Sequence, residues 1–541
     1  MGLLTLLGQS EGRVLRYWVD PVNGNNANAG TQAAPFKEIR YATSTVITTA
    51  RRPGDVVYLY LAPETYTSAE DYIRLDAADW TGGTLVVRCS VAGQRATIAN
   101  TTPIAFVQAY GTADATVDLD DVDVTCTQCL AWGGLTVTSQ TGVTLIVRSN
   151  CTFTHSATTA RDWVNFDSDA KRNRLYAYGC TMNGWGSMCF GNGMLDCLFH
   201  GVTFNAGSGL ARTTTIAANS VQITSSSLTW GGSLNNVVSI QATGTRLQVS
   251  DNTISMVSTN AASPIYLVAP PTGSSSVECL VENNSITMNG DGPALHVGTI
   301  LNDAITRAAN NALVAQFASV RIANNEIYNP DNDGGGLRVM VGTDNAVVTG
   351  NFIRRGTLGS GTNVHVCYLW GDGASLTDND IQGQVLLFGP DQTATGNAIV
   401  SDQVGILLGG TQGGSTASGG GNNYTVTDNI LVSQGNSCFG DYAYNGAYPT
   451  NLGELVAFVD RNTYVPISPA VAARLTAADT LCSDLQDILD VWQGGWGDSS
   501  NEQNDINSEV LSGADVTWHS DLISNASGVL DQDDFAAIRA Y

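Results

Sequence analysis

Short runs in which apolar and polar residues alternate fill most of the chain, and a six-residue phrase interrupts them repeatedly. It reads VSDNTI at Val249–Ile254. It returns as VENNSI (Val281–Ile286), IANNEI (Ile322–Ile327), VTGNFI (Val348–Ile353), LTDNDI (Leu376–Ile381), ATGNAI (Ala394–Ile399) and VTDNIL (Val426–Leu431). The fourth place holds Asn252, Asn284, Asn325, Asn351, Asn379, Asn397 and Asn429, and VDRNTY adds Asn462. Looser versions put Ser226, Val202, Cys180, Cys151 and Val122 in the same place upstream. From Val122 to Asn462 these markers recur about every 28 residues on average, at uneven intervals. A period of two on either side of each marker is the pattern of a half-buried strand. Each unit therefore reads as strand, tight turn, strand.

A fixed local phrase at uneven spacing fits one coil of a solenoid in which one corner keeps its shape and the other connections vary in length. The fold expected is all-β, a single-stranded parallel β-helix over 17–466. At the constant corner an Asn can adopt a left-handed backbone and hydrogen-bond the amide of the Asn one coil away. The Asn column is thus expected to be an internal ladder that holds the fold and does no chemistry. Beyond it, Ser468–Gly497 carries Leu481, Leu485, Ile488, Leu489 and Trp492 at helical spacing, with Pro469 at an entry and Gly494 at an exit. This predicts a partly helical C-terminal segment over 467–541, a cap or docking tail. Its terminal DQDDFAAIRAY is acidic, but the Asp spacing does not match an EF-hand loop.

Only 13% of residues are charged, so the surface is largely Ser, Thr, Asn and Gly. The net charge of −25 argues against nucleic acid or an anionic membrane as partner. Eleven cysteines without paired CxxC motifs read as buried thiols in a reducing compartment, with Cys151 and Cys180 adjacent in the marker column. No metal and no cofactor is expected. The opening MGLLTLLGQSEGR has neither a basic leader nor a cleavage site, and it is too short to span a bilayer. Neither Sec export nor membrane insertion is expected.

The stretch YWVDPVNGNNANAGTQAAPFKEIRYA (Tyr17–Ala42), followed by RPGDVVYLYLAPETYT (Arg52–Thr67), resembles the opening of the pectin-lyase-like superfamily of right-handed parallel β-helix proteins, in particular its phage tailspike and tail-fibre members. The resemblance implies a right-handed coil closed by a short N-terminal capping helix. It does not fix function, because the superfamily holds lyases, hydrolases, epimerases, tailspikes and adhesins.

Chemistry on such a fold would sit on outward-facing residues of one sheet or in the loops above it. In SPIYLVA, GPALHVG, GGLRVMVG and TNVHVCYL, alternation turns Ile265, Leu267, Leu295, Val297, Leu337, Val339, Val364 and Val366 inward. That leaves Tyr266, His296, Arg338 and His365 outward in one column, about 4.8 Å per coil. Acidic residues flank it: Asp331 and Asp333 in NPDNDGGG, and Asp372 in WGDG. The column is either a solvated face or a carbohydrate groove. As a groove, Tyr266, His296, Arg338 and Asp372 would bind the sugar. Asp331, Asp333 and His365 would do acid–base work in hydrolysis or elimination. Trp132, Trp185 and Trp230 lie near Gly-rich corners and are further candidates for stacking on sugar rings, or for packing beneath a loop. The polygalacturonase phrases NTD, GHG and RIK do not occur.

The reading these features favour is a tailspike or tail-fibre-like protein of a virion, made in the host cytoplasm. It would bind cell-surface polysaccharide and either cleave it or not. A homotrimer is expected, joined to other virion proteins through the anchoring peptide 1–16 or the C-terminal tail. The alternatives are a free extracellular polysaccharide lyase or glycoside hydrolase, and a non-enzymatic structural or capsid-decoration adhesin.

Overall fold

Strand pairing decides the architecture. In the computed structural model every named strand pair is parallel except Val471–Leu475 with Thr480–Cys482. The structure describes 12–466 except 48–51, 53, 77–81, 101, 103, 111–114, 134–141, 160, 167–171, 207–214, 231–238, 258–264, 269–276, 291, 300–315, 331–334, 341, 357–364, 410–421, 434–436 and 443–454; beyond 466 it describes 471–475, 480–482, 509–510 and 530–540. The chain divides into two compact units, Met1–Gly232 and Ser233–Tyr541, each a parallel β-helix.

Each coil has three faces. The first face ends at the marker corner, as in Arg174–Tyr178 or Ser319–Ala323; the second begins just after it, as in Thr181–Trp185 or Glu326–Asn329; the third follows, as in Asp162–Phe166 or Leu337–Val339. Inward residues form stacked apolar columns. Leu85, Val117 and Leu145 are consecutive in the first unit, and Ile286, Ile327, Ile353 and Ile381 in the second, all fully buried. A parallel sheet has its partners one coil away, so each coil needs the next to satisfy its backbone.

The first strand is Val14–Val19, beginning three residues ahead of the expected Tyr17. Asp55, from the GDVV phrase, fixes it. Its buried carboxylate accepts from the Arg13 backbone N–H at 2.8 Å, the Arg13 guanidinium at 2.8 Å and the Arg52 N–H at 2.7 Å, which hold its pKa down to about 2. The capping helix is one short turn, Ile39–Tyr41, continuing into Ala42–Ile47.

The ladder stands in the second unit as anticipated, with one correction. The left-handed residue is not the Asn but the residue before it. Asp251, Asn283, Asn324, Gly350, Asp378, Gly396, Asp428 and Arg461 all have positive φ, as do Asp121, Asn150, Gly179, Gly201 and Ser225 in the first unit. One left-handed residue turns the chain from the first face to the second and aims the next side chain inward. There the Nδ2 of Asn252, Asn284, Asn325, Asn351, Asn379, Asn397 and Asn429 each donates to the Oδ1 of the next Asn at 2.8–3.0 Å. In the first unit Val122, Cys151, Cys180, Val202 and Ser226 fill that column and are buried. Cys151 and Cys180 are neighbours there and both are free thiols.

The C-terminal segment differs from expectation. Residues 471–475 and 480–482 are strands, where helical spacing predicted a helix; Leu485, Ile488, Leu489 and Trp492 lie outside the described residues. Pairing with the last coil overrides the local pattern, since an open parallel edge offers a full row of backbone partners. A helix does form at Gln532–Arg539, and it lies against the second face of its own unit. Phe535 and Ile538 pack on Phe352, Ala398, Val400, Val432 and Val465. Arg539 donates to Asp380 Oδ1 at 2.7 Å and to the carbonyls of Gly396 and Asn379 at 2.7 and 3.0 Å.

Candidate functional site

The third face of the second unit is built from short strands whose apolar letters alternate. Ile265, Leu267, Leu295, Val297, Leu337, Val339 and Val366 are buried inward, and Val364 lies outside the described residues. Register places Tyr266 beside His296, His296 beside Arg338, and Arg338 beside Tyr368. The expected column therefore holds for Tyr266, His296 and Arg338. His365 is displaced from it and pairs instead with Gln384. The cause is a register irregularity between His365 and Cys367: Val366 and Cys367 both face inward, and the outward phase passes to Tyr368. A bulge of this kind reverses every later residue of a strand, and alternation alone does not reveal it.

The column is less open than its outward phase suggests. His296 is only 1% exposed, its ring edge-on to Tyr266 with centroids 4.5 Å apart. His296 Nε2 is buried without a hydrogen-bond partner. Burial, then the nearby Arg338 charge, pushes the His296 pKa down to about 3. His365 is half-buried; desolvation pushes it down to about 4, against a hydrogen bond with Gln384 that raises it. Both imidazoles are neutral at physiological pH, while Arg338 stays charged. The site thus presents one guanidinium between neutral donors and acceptors, an arrangement suited to hydroxyls and a carboxylate.

Tyr368, half-buried, takes the outward place after Arg338 and rests on two buried aromatic residues, Trp370 and Phe388, that hold its ring. Its ring centroid is 5.9 Å from that of Trp370 and 6.2 Å from Phe388, and Trp370 and Phe388 are 4.7 Å apart. The signal for this aromatic group in the sequence is the WGDG phrase, which holds Trp370 as well as Asp372. Asp372 is half-buried at the corner beyond this strand. Its N–H donates to Asp344 Oδ1 at 3.0 Å and its carbonyl accepts from Asn345 at 2.6 Å, so its backbone serves the corner. Below the column lies a buried ion pair between Arg355 and Asp402, and Gly383, at φ 134°, passes over the Arg355 stem.

Asp331 and Asp333 lie outside the described residues. Trp185 and Trp230 are corrected: both are buried in the first unit. Trp185 Nε1 donates to the Phe153 carbonyl at 3.1 Å, and Trp230 packs on Phe204 with ring centroids 5.2 Å apart. They are core residues, too deep to meet a sugar. The Trp132 side chain is not described; its backbone pairs with Gln108 and Asn165. Among the described residues no group of three or more His, Cys, Asp and Glu is arranged to hold a metal, and no helix is long and apolar enough to cross a membrane.

The two histidines give a pH prediction. Each has a folded pKa below its unfolded value of about 6.5, so the unfolded chain binds more protons in between. Their contribution to stability is full above that value and is lost as pH falls to about 4 for His365 and about 3 for His296. Melting temperatures of the parent and His296→Gln between neutral pH and pH ~4 should show a shallower acid loss in the variant. Equal slopes would place His296 in solvent.

The sheets define the class of protein, a parallel β-helix solenoid. No family model matches the chain, and no curated protein matches it. Among solved structures it is similar to a rhamnogalacturonan lyase at 13% identity and TM-score 0.23, over 69% of this chain and 82% of that one. It is also similar to tailspike protein 3 of bacteriophage CBA120 at 11% identity and TM-score 0.24, over 85% and 57%. A third is the GH136 lacto-N-biosidase from Eubacterium ramulus at 11% identity and TM-score 0.22, over 85% and 67%. Likeness this remote carries nothing about activity.

Proposed function

We propose that this chain is a polysaccharide-binding β-helix and that the third face of its second unit contacts the glycan. The observation that carries the reading is the register of Tyr266, His296, Arg338 and Tyr368, which gathers a guanidinium, a buried imidazole and two half-buried tyrosine rings on one face. Arg338 would hold a sugar carboxylate or hydroxyl pair, and Tyr368 would take the apolar side of a ring. A role on a virion as a homotrimeric tailspike or tail fibre, with host-surface polysaccharide as partner, is the finer form of this proposal. Its support is the opening motif and the solenoid form.

Arg338→Ala is expected to weaken binding to intact host cells or purified surface polysaccharide by about 1–3 kcal/mol, the range for a hydrogen bond to a charged group. An unchanged affinity would make the column a solvated face. Cleavage is a second reading, in which the His365 imidazole accepts a proton; its pKa, lowered to about 4 by desolvation, makes it a weak base for that role. If Asp333 is the acid or base beside it, Asp333→Asn should abolish release of new sugar ends while binding is retained.

A further inference from the structure

The outward residues of the first unit's first and second faces come from the same coils, yet they differ sharply. On the second face one outward column runs Thr97, Asp123, Thr152, Thr181, Thr203 and Ser227, the ordinary surface of a solvated sheet. At the N-terminal end of the first face the outward residues are Arg16 beside Tyr58, then Trp18 beside Tyr60 beside Arg88. The rings form one near-parallel group. Trp18 and Tyr60 have centroids 5.0 Å apart at 23°, and Tyr58 and Tyr60 are 5.9 Å apart at 14°. Arg16 is exposed and its guanidinium lies 5.9 Å from the Tyr58 ring; the other four side chains are half-buried. Three aromatic residues on neighbouring outward positions are not needed for the core, which Val57, Leu59, Leu61, Leu85 and Val87 fill from the inward side.

Charge distinguishes the patch further. Farther along the same face, arginines are matched by carboxylates: Arg148 grips Asp118 through two nitrogens at 2.7 and 2.8 Å, and Arg174 meets Asp196 at 3.3 Å. Arg16 meets no described carboxylate within ion-pair distance, whereas Arg88 has Asp120 as its register neighbour one coil on and reaches Asp121 at 4.0 Å. In a chain of net charge −25, a guanidinium at Arg16 with no described carboxylate beside it, next to an aromatic group, is a local attractor for anions.

We infer that Arg16, Trp18, Tyr58, Tyr60 and Arg88 form a second binding site, for an acidic polysaccharide whose sugars carry carboxylate or sulfate. The site is separate from the third-face column and stands if that column fails. The C–H side of a pyranose packs on the aromatic group, and the flanking guanidiniums take the anionic groups in charge-assisted pairs. Coils repeat about every 4.8 Å, comparable to a sugar ring, so successive sugars can follow successive coils. Five side chains on three strands are far fewer than the roughly 20–30 residues a side of a stable protein interface, which favours a slender glycan over a protein.

The test titrates the full chain with polygalacturonate, dextran sulfate and neutral dextran by calorimetry at low and high salt. The parent should bind at least one acidic polymer roughly tenfold or more tightly than dextran, and less well as salt rises. R16A/R88A should lose that binding about tenfold or more while the melting temperature stays put, since both side chains lie outside the core. Trp18→Phe should keep part of the affinity, and Trp18→Ala, where it folds, should lose most of it. Arg338→Ala should leave this binding unchanged. The inference is overturned if no acidic polymer binds, if dextran binds equally well, if R16A/R88A binds like the parent, or if Arg338→Ala alone removes binding. The last result would credit the third-face column instead.

Discussion

Asn379→Asp is expected to destabilise the protein by about 3–5 kcal/mol at neutral pH, the range for leaving an uncompensated charge in the interior. Asn379 Oδ1 accepts from both the backbone N–H and the Nδ2 of Asn351, each at 2.9 Å. Its own Nδ2 faces Asn397 Oδ1 at 3.0 Å, the Val348 carbonyl at 3.0 Å and the Thr377 carbonyl at 2.9 Å. A carboxylate keeps the first pair of contacts and sets an oxygen against three acceptors in place of a donor. The penalty has a pH signature. Burial disfavours the charged form, so its folded pKa lies above its unfolded value, and the gap to the parent narrows as pH falls through the folded pKa. Asn379→Ser, which keeps a donor and an acceptor but leaves a small void, should be milder. A melting temperature for Asn379→Asp equal to the parent's at neutral pH would mean that the corner is solvated and the ladder idle.

The C-terminal helix gives the other large effect. Asp531 caps it, accepting from the Asp533 and Asp534 N–H groups at 2.9 and 3.0 Å, while Asp534 accepts from the Asp531 N–H at 2.8 Å. Even well capped, two turns of helix do not persist alone in water. Anchorage comes from Phe535 and Ile538, both fully buried, from the edge-on contact of Phe535 with Phe352 at 5.6 Å, and from the Leu530 N–H bonded to Gln382 Oε1 at 3.0 Å. Phe535→Ala removes about 3–5 kcal/mol of packing, more than so short a helix can spare. The expected result is release of the helix while the coils persist. Hydrogen exchange would then be fast at 530–540 only, and the uncovered strip of Phe352, Val400, Val432 and Val465 would promote self-association at high protein concentration. Unchanged protection at 530–540 would show that Arg539 and the cap suffice.

How far the sequence reaches is clearest at the corners. Each marker is legible because the corner is local: one left-handed residue followed by one inward side chain occupies consecutive positions, and the requirement repeats with every coil. The left-handed geometry falls on the residue before the Asn rather than on the Asn, and the sequence does not mark it, because Asp, Asn, Gly, Ser and Arg all occupy that place. The candidate column was legible for Tyr266, His296 and Arg338, where strict alternation holds. It failed at His365, where an irregular step in the strand shifted the phase to Tyr368. Trp185 and Trp230 were legible as neighbours of Gly-rich corners but not as buried, since depth depends on what the rest of the coil leaves open.

By itself the sequence determined the coil: its solenoid form with one constant corner through the recurring phrase, the inward apolar columns through period two, the Asn ladder through an amide every coil, and the acidic, weakly charged surface. These are short-range or periodic constraints, and a repeat states them many times over. The tertiary structure alone decided which residues from distant coils meet. It made 471–475 a strand against an open edge, laid 530–540 across Phe352 and Val400, buried His296 to leave its imidazole neutral, and gathered Tyr368, Trp370 and Phe388 beside Arg338. Those outcomes rest on competition between long-range partners for the same surface, and burial and backbone pairing there outweigh the preference of any local segment.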